Sequence, residues 1–446
     1  MIGRPMSEVR ARQDPRPLVR DAERDLPRRF SSMAGGLIGS EILKIAAEIR
    51  ALQAAGRAVC DLTVGDFSPA QFPLAGILRD AVREALERGE TNYPPATGVL
   101  ALREAVGRLY ARELGLEYPA ESVVVTGGAR PGIYAVYRTL CDPGDRVVYP
   151  VPSWNNNHYC HLVGAQGVPL TCRPEELFLP TRAALEAALP GARLVCLNSP
   201  LNPTGTAIDA ATLTGVCDAI LQENVLRERR GERPLYLLYD QVYWMLRFGG
   251  LPHLTPPGLR PAMARYTLLV DGVSKGFAAT GLRVGWVVGP IDVIARLSAL
   301  LGHVGAWAPR AEQVATAKVL DDAAGIATFR ASFLSELQAR LELLHHGLQA
   351  LRGEGLPVDS LAPMGAIYLA ARFHPFGRQP RKGAALRTNE DVRRYLLDAA
   401  GIGVVPFQAF GSASDEGWFR LSVGAVGKRE IEEALPRLAS ALRDLR

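Results

Sequence analysis

A lysine and an arginine lie eight residues apart in a segment crowded with small residues, which runs from Gly272 to Gly285. The apolar run from Tyr266 to Val270 precedes this segment and predicts a buried strand. Burial beside a strand disfavours the charged form of Lys275, and a neutral lysine amine can form a Schiff base with a carbonyl. The planar guanidinium of Arg283 suits a phosphate group. The two residues together could hold pyridoxal phosphate, or they could be a surface lysine and an arginine in an ion pair.

The elements that would position this pair can be read from the hydrophobic runs. From about Val123 onward, apolar strands alternate with helical segments, which is typical of a mostly parallel sheet covered by helices on both faces. Ligands of open α/β sheets bind at the carboxyl ends of the strands. Several chemically active residues follow predicted strands and are expected at that edge. They are the turn from Gly127 to Arg130, Trp154, Asn202, Asp240 and Lys275.

Each of these residues has a possible role in binding a phosphorylated ring and an ordinary structural alternative. The glycine turn before Arg130 opens a helix, whose free N–H groups make an anion site. Trp154 could stack on a planar heterocycle or belong to the core, and Asn202 holds a donor amide in a turn. Asp240 ends an apolar strand, where it could pair with a pyridinium nitrogen or cap a helix. Tyr243 could donate to the phenolic oxygen of the same ring or serve only in packing.

A second α+β region is expected after about Ala311, where long amphipathic helices, the first from about Ala311 to Leu351, alternate with short strands. Arg420 lies between apolar residues there, as an ion-pair partner or as a bidentate clamp for a substrate carboxylate. The predicted organisation has four parts. They are a flexible tail over 1–29, an N-terminal part of a small domain over 30–64, a large cofactor-binding domain over 65–310 and a C-terminal small domain over 311–446.

Taken together, these residues resemble the class I/II, fold-type I aminotransferases that depend on pyridoxal phosphate, in the aspartate aminotransferase superfamily. The lysine segment, the turn from Asn202 to Gly205, the pair Asp240 and Tyr243, and the late Arg420 follow the family's order and spacing. The resemblance runs from about residue 33 to the C-terminus. It implies an α/β fold with a mostly parallel sheet of the seven-stranded type between helices, and a smaller α+β domain formed by the N- and C-terminal segments.

The resemblance also implies a role for each matched residue. Lys275 would hold the cofactor covalently and then act as acid and base, with Asp240 on the ring nitrogen and Tyr243 as the third catalytic residue. Further cofactor contacts would come from Gly128, Ala129, Arg130, Trp154, Asn202, Ser274, Arg283 and, across the interface of a homodimer, Tyr93. Substrate contacts would come from Gly65, Asn202, Arg420 and Arg130.

The implied reaction is a ping-pong transfer of an amino group between an L-amino acid and a 2-oxo acid such as 2-oxoglutarate. Arg130 stands where one bacterial subgroup of aspartate aminotransferases has a lysine that reads the distal carboxylate, which favours aspartate or glutamate. The alternatives are an aromatic or alanine-type aminotransferase, and a C–S lyase or other lyase of the same fold. Two positions depart from family patterns: Asn157 replaces a histidine of some subfamilies, and residues 33–36 lack the basic residue of prephenate-type relatives.

The bulk composition argues against other classes of function. The 446 residues carry a net charge of +5, which is too weak an excess to indicate nucleic-acid binding. No apolar run reaches the length that a membrane-spanning helix needs. The six cysteines are scattered without metal-binding spacing, so we expect free thiols, no metal and a cytoplasmic location. The first 29 residues are too short and too poor in apolar residues for the winged helix of regulators with this fold.

Overall fold

The computed structural model describes residues 30–381 and 383–446, and the tail predicted over 1–29 lies outside them. Residues 30–38 belong to one unit of the chain and contain a short helix, α1, Ser32–Gly35. Its N-cap is Ser31, whose hydroxyl accepts the amide of Ala34 at 3.2 Å. The second unit, residues 39–446, carries the sheets and the candidate site residues.

The described part of residues 39–446 has thirteen strands in three sheets. The strands are β1 (Cys60–Asp61), β2 (Val123–Thr126), β3 (Arg146–Val151), β4 (Gln166–Thr171), β5 (Ala192–Asn198), β6 (Tyr236–Asp240), β7 (Thr267–Gly272), β8 (Gly285–Val288), β9 (Val358–Ser360), β10 (Tyr368–Phe373), β11 (Ile402–Gly403), β12 (Val405–Pro406) and β13 (Trp418–Ser422). Seven of them form the large sheet, in the order β2-β8-β7-β6-β5-β3-β4. Among these seven strands only β8 runs opposite to the other six, so the predicted mostly parallel sheet is confirmed.

Both faces of the large sheet are buried. Val123 and Val125 of β2 face one hydrophobic core, whereas Val124 between them faces another. The helices that follow α1 are α2 (Glu41–Ala54), α3 (Gly76–Glu87), α4 (Leu100–Leu114), α5 (Ala129–Leu140), α6 (Asn156–Val163), α7 (Arg182–Ala188), α8 (Ala210–Arg230), α9 (Pro256–Leu259), α10 (Val273–Gly276), α11 (Ile291–Val304), α12 (Arg310–Asp321), α13 (Ala323–Gly353), α14 (Asn389–Tyr395) and α15 (Lys428–Arg443). Burial on both faces explains why the parallel strands are continuous apolar runs.

The smaller region is built around a four-stranded antiparallel sheet, β12-β13-β10-β9. Helix α13 packs on both β9 and α15. The N-terminal strand β1 pairs in parallel with β11, so N- and C-terminal segments share this smaller region. This agrees with the predicted smaller α+β domain, while the boundaries drawn at residues 64 and 310 stay a prediction.

The starts and ends of helices follow local sequence signals. Helix α2 begins after its N-cap Ser40, whose hydroxyl accepts the amide of Leu43 at 3.4 Å. The single helix predicted over 311–351 was wrong, because the chain turns at Asp322 and divides it into α12 and α13. The carboxylate of Asp322 accepts the amide of Gly325 at 2.8 Å and so caps α13.

The six cysteines are buried free thiols. Within residues 30–381 and 383–446, no three or more His, Cys, Asp and Glu side chains come together in a group that could hold a metal ion. None of the helices in these ranges has the length and apolar character needed to cross a membrane.

Candidate active site

Lys275 lies on the short helix α10, directly after the end of β7. Its Nζ donates to the backbone oxygen of Gly65 at 2.6 Å, which joins two predicted site residues 210 positions apart. Burial lowers the pKa of Lys275 to about 8, against the opposing effect of Asp66, and the Arg420 guanidinium adds to the lowering. About a tenth of this amine is therefore neutral at pH 7, and the neutral form is the one that acts as a nucleophile or base.

Asp240 ends β6, the strand beside β7 in the large sheet. Its carboxylate accepts the amide of Val242 at 3.1 Å. The side-chain amide of Asn198 holds the Asp240 backbone oxygen at 2.8 Å, so the end of the strand is fixed. Burial raises the pKa of Asp240 to about 6, and the Val242 amide opposes that rise. A cationic ring nitrogen would stabilise the ionised form of this acid.

Tyr243 lies three residues after Asp240 and is 4% exposed. Its hydroxyl is 2.8 Å from that of Tyr368, and burial raises the pKa of Tyr243 well above its usual range. Because one hydroxyl must donate to the other, the second keeps a proton to donate elsewhere. The Lys275 Nζ lies 5.9 Å from the centroid of the Tyr243 ring. The pair can therefore donate a hydrogen bond close to the lysine amine.

Arg420 on β13 is 1% exposed and lies between the rings of Tyr368 and Phe410, 4.7 and 4.9 Å from their centroids. It donates from Nη2 to the Thr63 backbone oxygen at 2.6 Å and from Nη1 to Asn202 Oδ1 at 3.3 Å. Its Nε has no partner among the described residues, and burial lowers its pKa. A buried guanidinium with a free donor is suited to an anionic group brought by a ligand.

Gly65 lies where Lys275 and Arg420 approach each other. A Cβ at Gly65 would be 3.0 Å from the Tyr368 hydroxyl and 3.4 Å from Arg420 Nη1. Any larger side chain would therefore crowd both groups. The structure thus brings the predicted substrate-binding residues Gly65, Asn202 and Arg420 together with the lysine.

The predicted phosphate site is a turn between β2 and α5. Gly128 caps α5 with φ of 96°, and a Cβ there would clash with the Arg283 guanidinium. Arg283 donates to the backbone oxygens of Thr280 at 2.7 Å and Gly127 at 3.0 Å. The helix begins at Ala129, so its first N–H groups point out of the turn. The structure therefore joins a helix N-terminus and a guanidinium, and a buried Ser274 precedes the lysine.

Arg130 and Trp154 contact each other directly. The Arg130 Cζ lies 4.4 Å from the centroid of the Trp154 ring, so the guanidinium covers one face of the indole. Arg130 also lines a cavity of about 390 Å³ with Tyr134, Tyr159 and Leu300. A planar ligand would thus use the other face of Trp154 or displace the guanidinium.

Tyr93 lies on the surface and is 83% exposed. Its ring packs edge-on against Trp307, with the centroids 5.7 Å apart.

Two residues at or near the site were absent from the sequence prediction. Tyr368 lies in a strand that was recognised only by its apolar character, and Asp271 directly follows the apolar run from Tyr266 to Val270. The signal that could have identified Asp271 is its position directly after three apolar residues, Leu268 to Val270.

Comparisons with known proteins agree with this geometry. The family model for aminotransferase class I and II matches residues 57–438. An aspartate aminotransferase of Rhizobium meliloti (strain 1021) is 32% identical over 405 residues, which cover 90% of this chain and 93% of the relative. A crystal structure of the aspartate aminotransferase from Rhizobium meliloti superposes with a TM-score of 0.85 at 30% identity, over 94% of this chain and all of the other.

A second solved structure, the aspartate aminotransferase of Thermus thermophilus with maleate, has a TM-score of 0.81 at 27% identity. It covers 93% of this chain and 100% of that chain. The sequence relative and both solved structures therefore align over nearly their whole length.

Proposed function

Because the chain belongs to the class I and II aminotransferases, we propose that it transfers the amino group of aspartate or glutamate to a 2-oxo acid such as 2-oxoglutarate. The observation that carries the proposal is the position of Arg420. Its buried guanidinium has no carboxylate partner among the described residues, and Gly65 lies between it and the Lys275 amine. An amino acid needs such a pair, a cation for its carboxylate and an amine near its Cα.

Enzymes of this class use pyridoxal 5′-phosphate, and the residues of this chain fit that group. When bound, the cofactor supplies an electron-withdrawing ring that acidifies the Cα proton of the amino acid. Asp240 would hold the ring nitrogen, and Tyr243 with Asn202 the phenolic oxygen. The Gly128 turn and Arg283 would hold the phosphate. Glycine at 128 leaves space beside the Arg283 guanidinium, which a Cβ would fill. Ala129, Ser274 and Trp154 would complete the contacts.

The chain's own contribution to the reaction is to bind the carboxylate, orient the amino acid and move a proton. Arg420 would take the α-carboxylate as a bidentate pair, while Asn202 Oδ1 keeps the guanidinium in place. Lys275, with its pKa lowered to about 8 by burial, can accept the Cα proton and return it. The same lowered pKa favours the uncharged amine that must hold the cofactor.

A dicarboxylic substrate is supported by Arg130 and by the relatives. The Rhizobium meliloti proteins are named aspartate aminotransferases, and the Thermus thermophilus enzyme was solved with maleate, a dicarboxylate. Arg130 adds to the positive field that lowers the Lys275 pKa, so its charge acts on the site. A distal carboxylate would compete with the Trp154 ring for this guanidinium.

The substrate is tested with a panel of amino acids against 2-oxoglutarate, with products identified by mass. Highest kcat/KM with aspartate or glutamate and formation of the matching 2-oxo acid would support the proposal. A product that has lost sulfur would instead show lyase chemistry, and highest kcat/KM with alanine or an aromatic amino acid would show the other aminotransferase types. Lys275→Ala should abolish turnover and the visible absorbance of the bound cofactor.

The role of Arg130 is tested with Arg130→Gln and, as a matched control, Arg138→Gln on an exposed position of the same helix. We expect the Arg130 variant to lose more kcat/KM with aspartate than with alanine, since only aspartate has a distal carboxylate. Equal losses on the two amino acids would assign Arg130 to the cofactor, and no loss on either would assign it to the surface. The control should leave both values unchanged.

We also propose a homodimer in which Tyr93 contacts the phosphate of the neighbouring subunit. Its 83% exposure, beside an aromatic neighbour, supports this, because Tyr93 is free to meet another chain. Mixing inactive Lys275→Ala with weakened Tyr93→Ala should restore about a quarter of the wild-type activity, since one site of each mixed dimer has both native residues. Activity that stays at the sum of the separate variants would contradict the shared site.

We propose a cytoplasmic location as well. The six buried free cysteines support it, because thiols persist in a reducing compartment. Cell fractionation of the full chain would test this location.

A further inference from the structure

A second acid, Asp271, lies at the end of β7, four residues before Lys275. Its side chain is 1% exposed. The carboxylate accepts Trp244 Nε1 and the Gly272 amide, both at 2.7 Å, and the Tyr110 hydroxyl at 3.3 Å. It forms no ion pair within residues 30–381 and 383–446. Burying a carboxylate that has no cation beside it costs free energy of folding, so its hydrogen bonds must stabilise it.

The hydrogen bonds around this acid run in one direction and end on it. The Tyr110 oxygen accepts Gln241 Nε2 at 3.0 Å and Trp286 Nε1 at 3.1 Å, so the Tyr110 proton is left for Asp271. The Gln241 Oε1 is 3.1 Å from His253 Nε2, which must donate because an amide oxygen only accepts.

The neutral His253 ring and the donors around Asp271 agree with this direction, whereas burial by itself favours the protonated form of the acid. Burial, with the Arg247 guanidinium nearby, lowers the pKa of His253 to about 3, so its ring is neutral. Burial raises the pKa of Asp271 to about 8, whereas its three donors oppose that rise. Because each neighbour of the carboxylate offers it a proton donor, the arrangement suits the ionised acid.

The turn that carries two cofactor-binding residues supplies one partner of Asp271, Trp244, and also Gln241, which donates to its partner Tyr110. Trp244 follows Tyr243, and Gln241 follows Asp240. The backbone N–H of Gln241 donates to the Val270 backbone oxygen at 2.9 Å, which extends the pairing of β6 with β7 by one residue. Beyond that point β6 and β7 no longer pair, and each strand leads into a turn. The Asp271 carboxylate lies where they separate and bonds to the 241–244 turn through Trp244.

We infer that Asp271 is a positioning residue, whose carboxylate ties the turn carrying Asp240 and Tyr243 to the turn carrying Lys275. The inference rests on the proposed cofactor contacts of these three residues. Without the carboxylate, the hydrogen bond from Trp244 is lost and the two turns can shift relative to each other. A displacement of about 1 Å at a catalytic group lowers the rate by roughly 10- to 100-fold.

The test is Asp271→Asn in the holoenzyme, since the amide nitrogen presents a donor where the neighbours also donate. The matched control is Tyr137→Phe, which removes a buried hydroxyl that donates to Asn156 Oδ1 at 2.9 Å in the other core of the sheet. Three quantities are measured. They are the visible circular dichroism per bound cofactor, kcat and KM for aspartate, and the melting temperature.

We expect Asp271→Asn to lose visible circular dichroism and to lower kcat by roughly 10- to 100-fold with KM unchanged. The control should change only the melting temperature. If Asp271→Asn does not fold, Tyr110→Phe and Gln241→Leu each remove one link and should lower the same two signals to a smaller extent. Wild-type circular dichroism and kcat in the variants that fold would overturn the inference.

Failure of the proposed function would look different. If the proposed function is wrong, wild-type protein and Lys275→Ala give the same cofactor signal. If only the positioning role is wrong, these two proteins still differ, and Asp271→Asn and Tyr137→Phe behave alike.

Discussion

Replacing Arg420 by methionine should separate substrate recognition from stability. The guanidinium is 1% exposed, and it bonds to the Thr63 oxygen and to Asn202 Oδ1. Its Nε has no partner among the described residues. Methionine has a similar length and no charge, so it fills the space between Tyr368 and Phe410 without the donors.

The loss in catalysis follows from the hydrogen bonds that the guanidinium can make. Each bond between charged groups contributes about 1.5–3 kcal/mol, so a bidentate pair with the substrate carboxylate contributes about 3–6 kcal/mol. This corresponds to a loss in kcat/KM of roughly 10²- to 10⁴-fold. Stability should change little, because the lost hydrogen bonds are offset by removal of a buried, uncompensated charge. We expect the free energy of unfolding to change by less than about 2 kcal/mol.

The assay compares kcat/KM for aspartate with the rate of the first half-reaction for an alkylamine that has no carboxylate. Only the aspartate value should fall in Arg420→Met. The matched control is Arg340→Met, which removes another buried guanidinium, 4.1 Å from the Phe72 ring centroid. Equal losses on the amine and on aspartate, or the same loss in the control, would refute a carboxylate-binding role for Arg420.

Three further predictions concern the cofactor site. Gly128→Ala and Gly144→Ala both place a side chain at positive φ, 96° and 90°, and should each lose about 1–2 kcal/mol of unfolding free energy. Only Gly128→Ala should also weaken cofactor binding in an absorbance titration, since a Cβ meets Arg283 there and open space at Gly144; equal affinities would contradict the clash. Asp240→Asn should lower cofactor affinity roughly 10- to 100-fold, because it removes a charged hydrogen bond. Unchanged affinity would mean that Asp240 serves only as a cap. Lys275→Met should stabilise the cofactor-free protein by about 1–3 kcal/mol below pH 8. The wild-type lysine has a folded pKa of about 8 against an ordinary 10.5, so the unfolded chain binds the extra proton and the wild-type penalty fades between these values. Chemical unfolding at pH 7 and pH 10 checks this, and a difference that grows with pH would refute it.

The sequence by itself determined the parts of this protein that depend on neighbouring residues. The run before Lys275 is a strand because its residues are apolar, and the small residues after it form the turn. Asp240 was predicted at a strand end for the same reason. Since the carboxyl ends of parallel strands lie on one edge of a sheet, these local signals were enough to predict which residues gather there.

The tertiary structure alone decided the contacts between distant segments. Arg420 meets Asn202 across 218 residues and Thr63 across 357, and no local pattern shows which oxygens it will find. Asp271 and Asp240 both follow apolar strands, yet only Asp271 meets indole and phenol donors, one of them 161 residues away. The direction of β8 was likewise set by packing. The physical reason is that spacing along the chain specifies strands, turns and caps, whereas the partners and pKa of a buried charge depend on which segments fold against it.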